Sequence, residues 1–202
     1  MSEHSLSSHS VRAVAVSSRR DERRARSRAA ILNAAREQIA AGGLAATSTQ
    51  QVALAAGLSH GALFVHFPRR EDLLIAVLDA FAADYRAALG PPTPALEAEL
   101  DRQLEALAPQ ETLYAQLLGA EATLPTAARD ALRALERDLA GRVAAVFAAD
   151  RSGGGLRALS PRLVGATWLA LLQRALLRGE SGAALPTWGP EIRAFLLAVV
   201  AP

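Results

Sequence analysis

The chain contains no cysteine and no lysine, and only 4% of its 202 residues are aromatic. Without cysteine it can form no disulfide bond, no cysteine-ligated zinc site and no thiol nucleophile. Runs of β-branched and aromatic residues, which favour strands, are almost absent. Hydrophobic residues still make up 51% of the chain, and most of them are Ala and Leu, which favour helices. The composition predicts an all-α protein with enough apolar material for one or two domains.

No stretch of the chain has the length and apolar character of a signal peptide or a membrane-spanning helix. The first 18 residues have no apolar core of signal-peptide length. The longest apolar run, residues 194–201, is far too short to cross a bilayer. We therefore expect a cytoplasmic protein with no membrane partner.

The net charge is only +2, but basic residues are concentrated near the N-terminus. Residues 1–30 carry three acidic residues and seven arginines, namely Arg12, Arg19, Arg20, Arg23, Arg24, Arg26 and Arg28. Residues 1–22 are rich in Ser and Arg and show no helical period, so we expect a flexible arm there. Guanidinium groups on such an arm can bind phosphates or enter a minor groove of DNA.

Apolar residues recur with a helical period through the rest of the chain, and Gly, Pro and capping residues mark where helices end. The pattern predicts about nine helices, at residues 24–41, 49–56, 60–66, 70–89, 95–107, 110–122, 126–149, 161–177 and 188–200. Loops are expected at residues 152–155 and 178–187. A Gly- and Pro-rich break at residues 90–94 lies close to a predicted boundary between domains at 23–85 and 86–202.

Residues 48–67, STQQVALAAGLSHGALFVHF, have the pattern of two short helices joined by a glycine turn. This is the helix-turn-helix motif, which places side chains in a DNA major groove. Ser48 and Gln51 have the spacing of a capping box at the start of the first helix. Gly57 stands where a left-handed turn residue is needed, and Ser59 caps the second helix. Because the caps, the glycine turn and the helix lengths all fit the helix-turn-helix motif, a plain helical hairpin without a DNA role is the weaker interpretation.

The segment AGGLAATSTQQVALAAGLSHGALFVHFPRREDLL resembles the DNA-binding domain of TetR/AcrR-family repressors. At the level of motifs the resemblance covers residues 24–85, and the remainder matches only in helix number, length and apolar character. It implies an all-α homodimer with a three-helix DNA-binding head and a larger helical domain. In that family a small molecule bound in the larger domain typically releases operator DNA. The helix at residues 60–66 would be the recognition helix.

The resemblance and the exposed positions of the motif together predict a set of DNA contacts. These are Ser48, Gln50, Ser59, His60, Gly61, Phe64, His66, Arg69 and Arg70. The chain departs from the family pattern where Phe64 replaces a phosphate-binding Tyr and Ala62 replaces a Thr, and Arg69 replaces a Ser or Asn helix cap. The predicted recognition helix is therefore unusually apolar. We expect Arg69, Arg70 and the arm to supply much of the affinity.

An effector cavity is expected among the helices that follow the head. Its predicted lining is Leu104, Leu107, Tyr114, Leu118, Glu121, Trp168 and Leu172. Each of these is more often ordinary core, but Tyr114 and Trp168 combine a large apolar body with a polar tip. The lining predicts a small, largely apolar ligand.

The last predicted helix is apolar on more than one side, with Trp188, Ile192, Phe195 and Val199 in one stripe. In the preceding helix Leu169, Leu172 and Leu176 form another. We expect a homodimer through these two helices, which in the family form a four-helix bundle from two copies. The alternative is that both helices fill the core of a monomer.

Two other functions fit the sequence less well than an effector-controlled repressor. One is a DNA-binding dimer without a small-molecule effector, and the other is an α-helical interaction module without a DNA role. An enzyme is disfavoured because the sequence has no Gly-rich phosphate loop, nucleophile elbow or metal-ligand motif. His60 and His66 lie six residues apart with no carboxylate at ligand spacing. We expect no catalytic residue, no metal and no cofactor.

Overall fold

The computed structural model describes residues 5–152, 156–178 and 184–202, with side chains from residue 19 onward except that of residue 152. Within these ranges the chain forms helices and no strand. The α-helices are α1 (Ser5–Ala46), α2 (Thr49–Ala55), α3 (His60–His66), α4 (Arg70–Leu89), α5 (Leu96–Leu107), α6 (Glu111–Gly119), α7 (Thr126–Ser152), α8 (Pro161–Arg178) and α9 (Ala184–Val200). Two short 3-10 turns follow α5 and α6, at Ala108–Gln110 and Glu121–Thr123. The all-α prediction and the approximate number of helices are confirmed.

The N-terminal arm differs from the prediction. From Ser5 onward the residues form the first turns of α1, rather than a non-helical arm before a helix that starts at residue 24. No Pro or Gly, the residues that most strongly break helices, occurs between Ser5 and Ala41, so α1 can extend from its core-packed part toward the N-terminus. At its other end Gly43 leaves the helical path with a φ of 78°, as the glycine pair indicates.

The start of α9 also differs from the prediction, since it begins at Ala184 instead of residue 188. The Glu111 carboxylate accepts a hydrogen bond of 2.7 Å from the Ala184 backbone N–H, and this partner from α6 holds the first turn. The predicted loops at 152–155 and 178–187 are too long, because α7 includes Ser152, α8 includes Arg178 and α9 begins at Ala184. The rest of both loops, residues 153–155 and 179–183, lies outside the described residues.

A continuous apolar core joins the N-terminal helices to the larger helical part. One cluster, which we call the head–body core, includes Ile31, Val52, Leu63, Phe81, Tyr114, Leu132 and Leu172 from α1–α4 and α6–α8. A second, the distal core, consists of Leu96, Leu100, Val143, Phe147, Val164, Trp168, Leu196 and Val200 from α5 and α7–α9. Because α4 contributes buried residues along its whole length, it connects the head to the body.

The bend between α4 and α5 is held by a buried ion pair. Arg142 of α7 bonds to the fully buried Glu99 and donates to the carbonyls of Gly90 at 2.7 Å and Pro91 at 2.9 Å. Burial acts to raise the pKa of Glu99, but hydrogen bonds from Arg142 and from the Thr93 backbone outweigh it and lower that pKa. The Gly- and Pro-rich break is therefore a structured turn.

The α7 and α8 helices are in close contact at Gly165. A Cβ atom there would lie 2.1 Å from the backbone oxygen of Ala140 and 3.2 Å from the Cβ of Ala144. No other residue type fits this position without separating the two helices.

Candidate nucleic-acid interface

The α2–α3 hairpin has the geometry that its sequence predicts. Ser48 and Gln51 form a capping box, in which the Ser48 hydroxyl accepts from the Gln51 backbone and the Gln51 side chain accepts from the Ser48 backbone. The turn contains Gly57 with a φ of 68°, and the Leu58 N–H donates to the carbonyl of Ala53 at 2.9 Å. The Ser59 hydroxyl accepts from the Ala62 N–H at 3.2 Å at the start of α3. These bonds satisfy amides at both helix starts and fix the crossing of α2 and α3.

Most of the predicted contact residues lie exposed on this hairpin. Leu63 and Phe67 anchor α3 in the head–body core, which turns the opposite side of the helix outward. The predicted residues that are exposed on the hairpin are Ser48, Gln50, Ser59, His60, Gly61 and Phe64, and Arg69 and Arg70 beyond it are exposed as well. His66 is only half-buried and lies at the end of α3. The hairpin therefore brings these residues to one region, and their contact with DNA stays a prediction.

His60 is held in place by two neighbours. Its Nε2 lies 2.9 Å from the Thr49 hydroxyl of α2, and its ring meets the Phe64 ring edge-on, with 4.9 Å between centroids. Thr49 is not among the predicted site residues. Its spacing of eleven residues from His60 gives no signal in the sequence, because only the turn at Gly57 brings them together.

Arg69 and Arg70 are both engaged within the protein, which bears on their predicted role as phosphate ligands. Arg69 pairs with Asp72 at 2.7 Å, and this hydrogen bond is the main reason that the pKa of Asp72 is lowered. Arg70 donates to the carbonyls of Leu44 at 2.9 Å and Thr47 at 3.1 Å. Arg70 thus joins the start of α4 to the segment between α1 and α2.

The described part of α1 before the core carries six exposed arginines. Arg19, Arg20, Arg23, Arg24, Arg26 and Arg28 are all exposed, whereas the side chain of Arg12 lies outside the described ones. The guanidinium of Arg28 lies over the Phe67 ring, 4.9 Å from its centroid, so α1 and the end of α3 are in contact. Arg28 therefore lies beside the end of α3.

The predicted effector residues do not form one group. Leu107, Tyr114, Leu118 and Leu172 belong to the head–body core, whereas Trp168 belongs to the distal core and donates its indole N–H to Gln103 at 2.9 Å. Leu104 touches both cores. Glu121 lies on the 3-10 turn after α6 and pairs with Arg133 at 3.0 Å.

Tyr114 is the predicted effector residue with the most unusual surroundings. It is fully buried, and its hydroxyl makes no hydrogen bond among the described residues. Gln173 lies close to that hydroxyl, but its amide donates to Glu136 at 2.7 Å. Burial, together with the charge of Glu136, raises the pKa of Tyr114. Sequence reasoning misses Glu136 and Gln173 because an amphipathic pattern does not distinguish a half-buried polar residue from a solvated one.

In the part of the chain that the structure describes, no group of three or more His, Cys, Asp or Glu residues could hold a metal ion. No helix among the described residues is long and apolar enough to span a membrane.

Comparison with known proteins agrees with this geometry. Residues 31–77 match the family model "Bacterial regulatory proteins, tetR family", and these residues contain α2 and α3 with the adjoining parts of α1 and α4. No curated protein gives a significant sequence match.

Solved structures extend the similarity to most of the chain. A TetR-family regulator from Rhodococcus sp. is 26% identical, with a TM-score of 0.69, over 86% of this chain and 96% of that one. A TetR-family regulator from Agrobacterium tumefaciens is 22% identical, with a TM-score of 0.73, over 87% and 98% of the two chains. Salmonella enterica GusR is 20% identical, with a TM-score of 0.70, over 86% and 95%. The last two, given their low identity, show the fold alone.

A helix-turn-helix head continuous with an all-helical body defines a DNA-binding transcriptional regulator. The matched head and the shared fold point to the same family: residues 31–77 match the tetR family of bacterial regulatory proteins, and most of the chain has the fold of TetR-family transcriptional regulators.

Proposed function

We propose that this regulator is a repressor that binds operator DNA as a homodimer through α3 and is released by a small, largely apolar molecule. The observation that carries the proposal is the α2–α3 hairpin, whose caps and turn hold α3 with its outer side exposed. Such a helix fits a major groove. A protein that binds chromosomal DNA works in the cytoplasm, and we propose that location.

The proposed division of the chain is a head at residues 23–85 and a body at 86–202. The preceding residues 1–22 would add phosphate contacts, as would Arg69 and Arg70 if DNA draws them away from Asp72 and the Thr47 carbonyl. The α4 helix crosses the boundary without a break, which supports mechanical coupling of body and head.

Exposed apolar side chains on α9 support the homodimer. Trp188, Phe195 and Val199 are exposed in the single chain, with Ile192 half-buried in the same stripe. On α8, Leu172 and Leu176 pack into the chain's own core, so its partner-facing residues would be Leu163 and Leu177, which are exposed. A second copy covering these side chains would remove a large apolar surface from water.

The effector site is proposed near Tyr114. A buried hydroxyl without a partner is unfavourable, and a ligand that accepts its hydrogen bond would remove that cost. Binding there would act on α6, which packs on α1: a Cβ at Gly43 would lie 2.9 Å from Gln116 Oε1. The full burial of Leu107, Trp168 and Leu172 favours the second candidate, a regulator without an effector.

An electrophoretic mobility assay with the full chain and the DNA upstream of its own gene tests operator binding. We expect a shift that unlabelled random DNA does not compete away, and transcription from the bound promoter in vitro should fall. Equal competition by random DNA, or increased transcription, would contradict the repressor.

Thermal-shift screening of apolar small molecules separates the two candidates. A ligand that raises the melting temperature should also release the operator, and Tyr114→Phe should weaken its binding. Stabilisation without release would refute effector control.

A further inference from the structure

The outward side of α3 carries almost no side chain that can form hydrogen bonds. Leu63 and Phe67 point into the core, and on a helical period Gly61 and Val65 lie on the opposite side, one turn apart. Val65 is 69% exposed, and Phe64 beside it is 38% exposed. Between His60 and His66 the helix consists of Gly, Ala, Leu, Phe and Val.

His60, the polar side chain that precedes this apolar surface on α3, already has partners within the protein. His60 bonds to Thr49 through Nε2 and packs edge-on against Phe64. The side chains of His60, Phe64 and Thr49 therefore form one connected surface that spans α2 and α3. Gly61 adds open space, since a Cβ there would have no neighbouring atom within 4 Å.

Base pairs are read in the major groove either by hydrogen bonds or by apolar contact. Arg, Lys, Asn and Gln supply the two-pronged hydrogen bonds to guanine and adenine, and α3 contains none of these residues. The apolar feature of the groove is the C5 methyl group of thymine. An exposed Val side chain gains by burying itself against such a methyl group, as any apolar pair does.

We propose that Val65, with Phe64 beside it, determines operator specificity by contacting thymine C5 methyl groups in each half-site. This inference rests on the proposed function, because it requires α3 to enter the major groove. Gly61 lets the helix backbone approach the bases, and Gln50 and the α1 arginines bind elsewhere on the DNA.

The test begins by selecting the binding sequence from random duplex DNA with the full chain. Each thymine of the selected half-site is then replaced singly by deoxyuridine, which lacks only the methyl group. We expect at least one replacement to weaken binding about three- to fourfold, the size that one buried methyl group supports. Cytosine placed there should weaken binding further, and 5-methylcytosine should recover part of the loss.

Val65→Ala identifies the side chain that reads the methyl group. Ala favours helix more than Val does, so the exposed substitution leaves the fold intact. In this variant the deoxyuridine replacement should change affinity less than about 1.5-fold at the affected position. The matched control is Leu54→Ala on α2, where Leu54 is 79% exposed but lies off α3, and the control should retain the full penalty.

A weaker affinity of Val65→Ala with an unchanged deoxyuridine penalty would overturn the assignment of Val65. A selected site that tolerates deoxyuridine at every thymine would overturn methyl reading while leaving operator binding in place. Failure to select any sequence would instead refute the proposed function, and this inference with it.

Discussion

Two glycines in the hairpin, Gly57 and Gly61, differ in backbone conformation but not in packing. Gly57 has a φ of 68°, a backbone region that L-residues with side chains rarely adopt, whereas Gly61 lies in the α3 helix without a positive φ. A Cβ atom added at either position would meet no other atom within 4 Å, so packing does not distinguish them. The backbone conformation alone should decide how each tolerates alanine.

We predict that Gly57→Ala lowers the free energy of unfolding by about 1 kcal/mol, because the turn would hold alanine in a left-handed conformation. Gly61→Ala is the matched control and should raise it by about 0.5–1 kcal/mol through helix propensity. Urea unfolding followed by circular dichroism measures both. Equal effects of the two substitutions would contradict the role assigned to the turn.

Glu99 and Glu136 should each make the free energy of unfolding depend on pH, and the two dependences should have opposite signs. The pKa of Glu99 is lowered in the folded state, so its ionised form adds stability above the unfolded pKa of about 4.3. That contribution is lost as pH falls through the lower folded pKa. The pKa of Glu136 is raised by burial and by the charge of Glu121, so its contribution is present below the unfolded value and lost as pH rises through the folded one.

We therefore predict that Glu99→Gln destabilises the protein at pH 7 by on the order of 3 kcal/mol, because Arg142 loses its buried partner. Glu136→Gln should stabilise the protein at pH 7 and have little effect near pH 4. The Gln side chain keeps an oxygen that accepts from Gln173. Unfolding midpoints in urea between pH 4 and pH 8 measure both variants, and parallel pH profiles for the two would contradict the assignment.

At the scale of elements, helices with local caps are predicted most accurately. The bounds of α3 and α4 agree with the prediction, and α2 differs by one residue at its end, because the caps at Ser48 and Ser59 and the break at Pro68 act over a few residues. The start of α9 depends on Glu111, some seventy residues earlier in the chain, and no local pattern reveals that bond.

The length of α1 could not be predicted from periodicity. Weak apolar periodicity suggests a non-helical arm, but a helix that extends beyond the core needs only the absence of breakers and a folded segment to continue from. The candidate DNA-binding site is likewise predicted only where neighbouring residues determine it. The exposed face of the hairpin follows from the motif, whereas the partners of Arg70, His60 and Trp168 depend on the fold.

Deletion of residues 1–22 tests the contribution of the first turns of α1. The segment carries three arginines and three acidic residues, so its removal leaves the formal charge unchanged. We predict weaker operator binding and a salt dependence that is flatter by about 0.9 for each phosphate that is no longer neutralised. Binding titrations between about 50 and 200 mM salt, a range in which such contacts respond strongly, measure both quantities.

The control is the full chain with Arg19→Gln and Arg20→Gln, which keeps the helix and removes two charges. It should reproduce part of the weakening. An unchanged dissociation constant and salt slope in the deletion variant would show that this segment makes no DNA contact.

At the scale of the whole molecule, the exposed apolar stripe of α9 predicts the oligomeric state. We predict a dimer in sedimentation at micromolar concentration, and a monomer after Trp188→Glu and Phe195→Glu because two buried charges would oppose association. Trp188 is 44% exposed and Phe195 54% exposed in the single chain, so the two substitutions should not disturb the core of the protomer. The monomer should bind operator at least about tenfold more weakly, since it contacts only one half-site.

Leu54→Glu is the control, because Leu54 is an exposed apolar residue far from α9 in sequence and belongs to the head. It should remain dimeric. A monomeric wild-type chain, or a dimer that survives both α9 substitutions, would contradict the proposed interface.

The contact of Gly165 with the Ala140 carbonyl has a consequence for how this molecule changes shape. Two helices that touch backbone to backbone can neither roll over each other nor slide by a turn without first separating. The α7–α8 pair is thus the stationary frame of the body. A rearrangement that passes from the body to the head would then run along α4 and α6, which both pack on α1, and the fixed α7–α8 pair would limit the directions in which these helices can move.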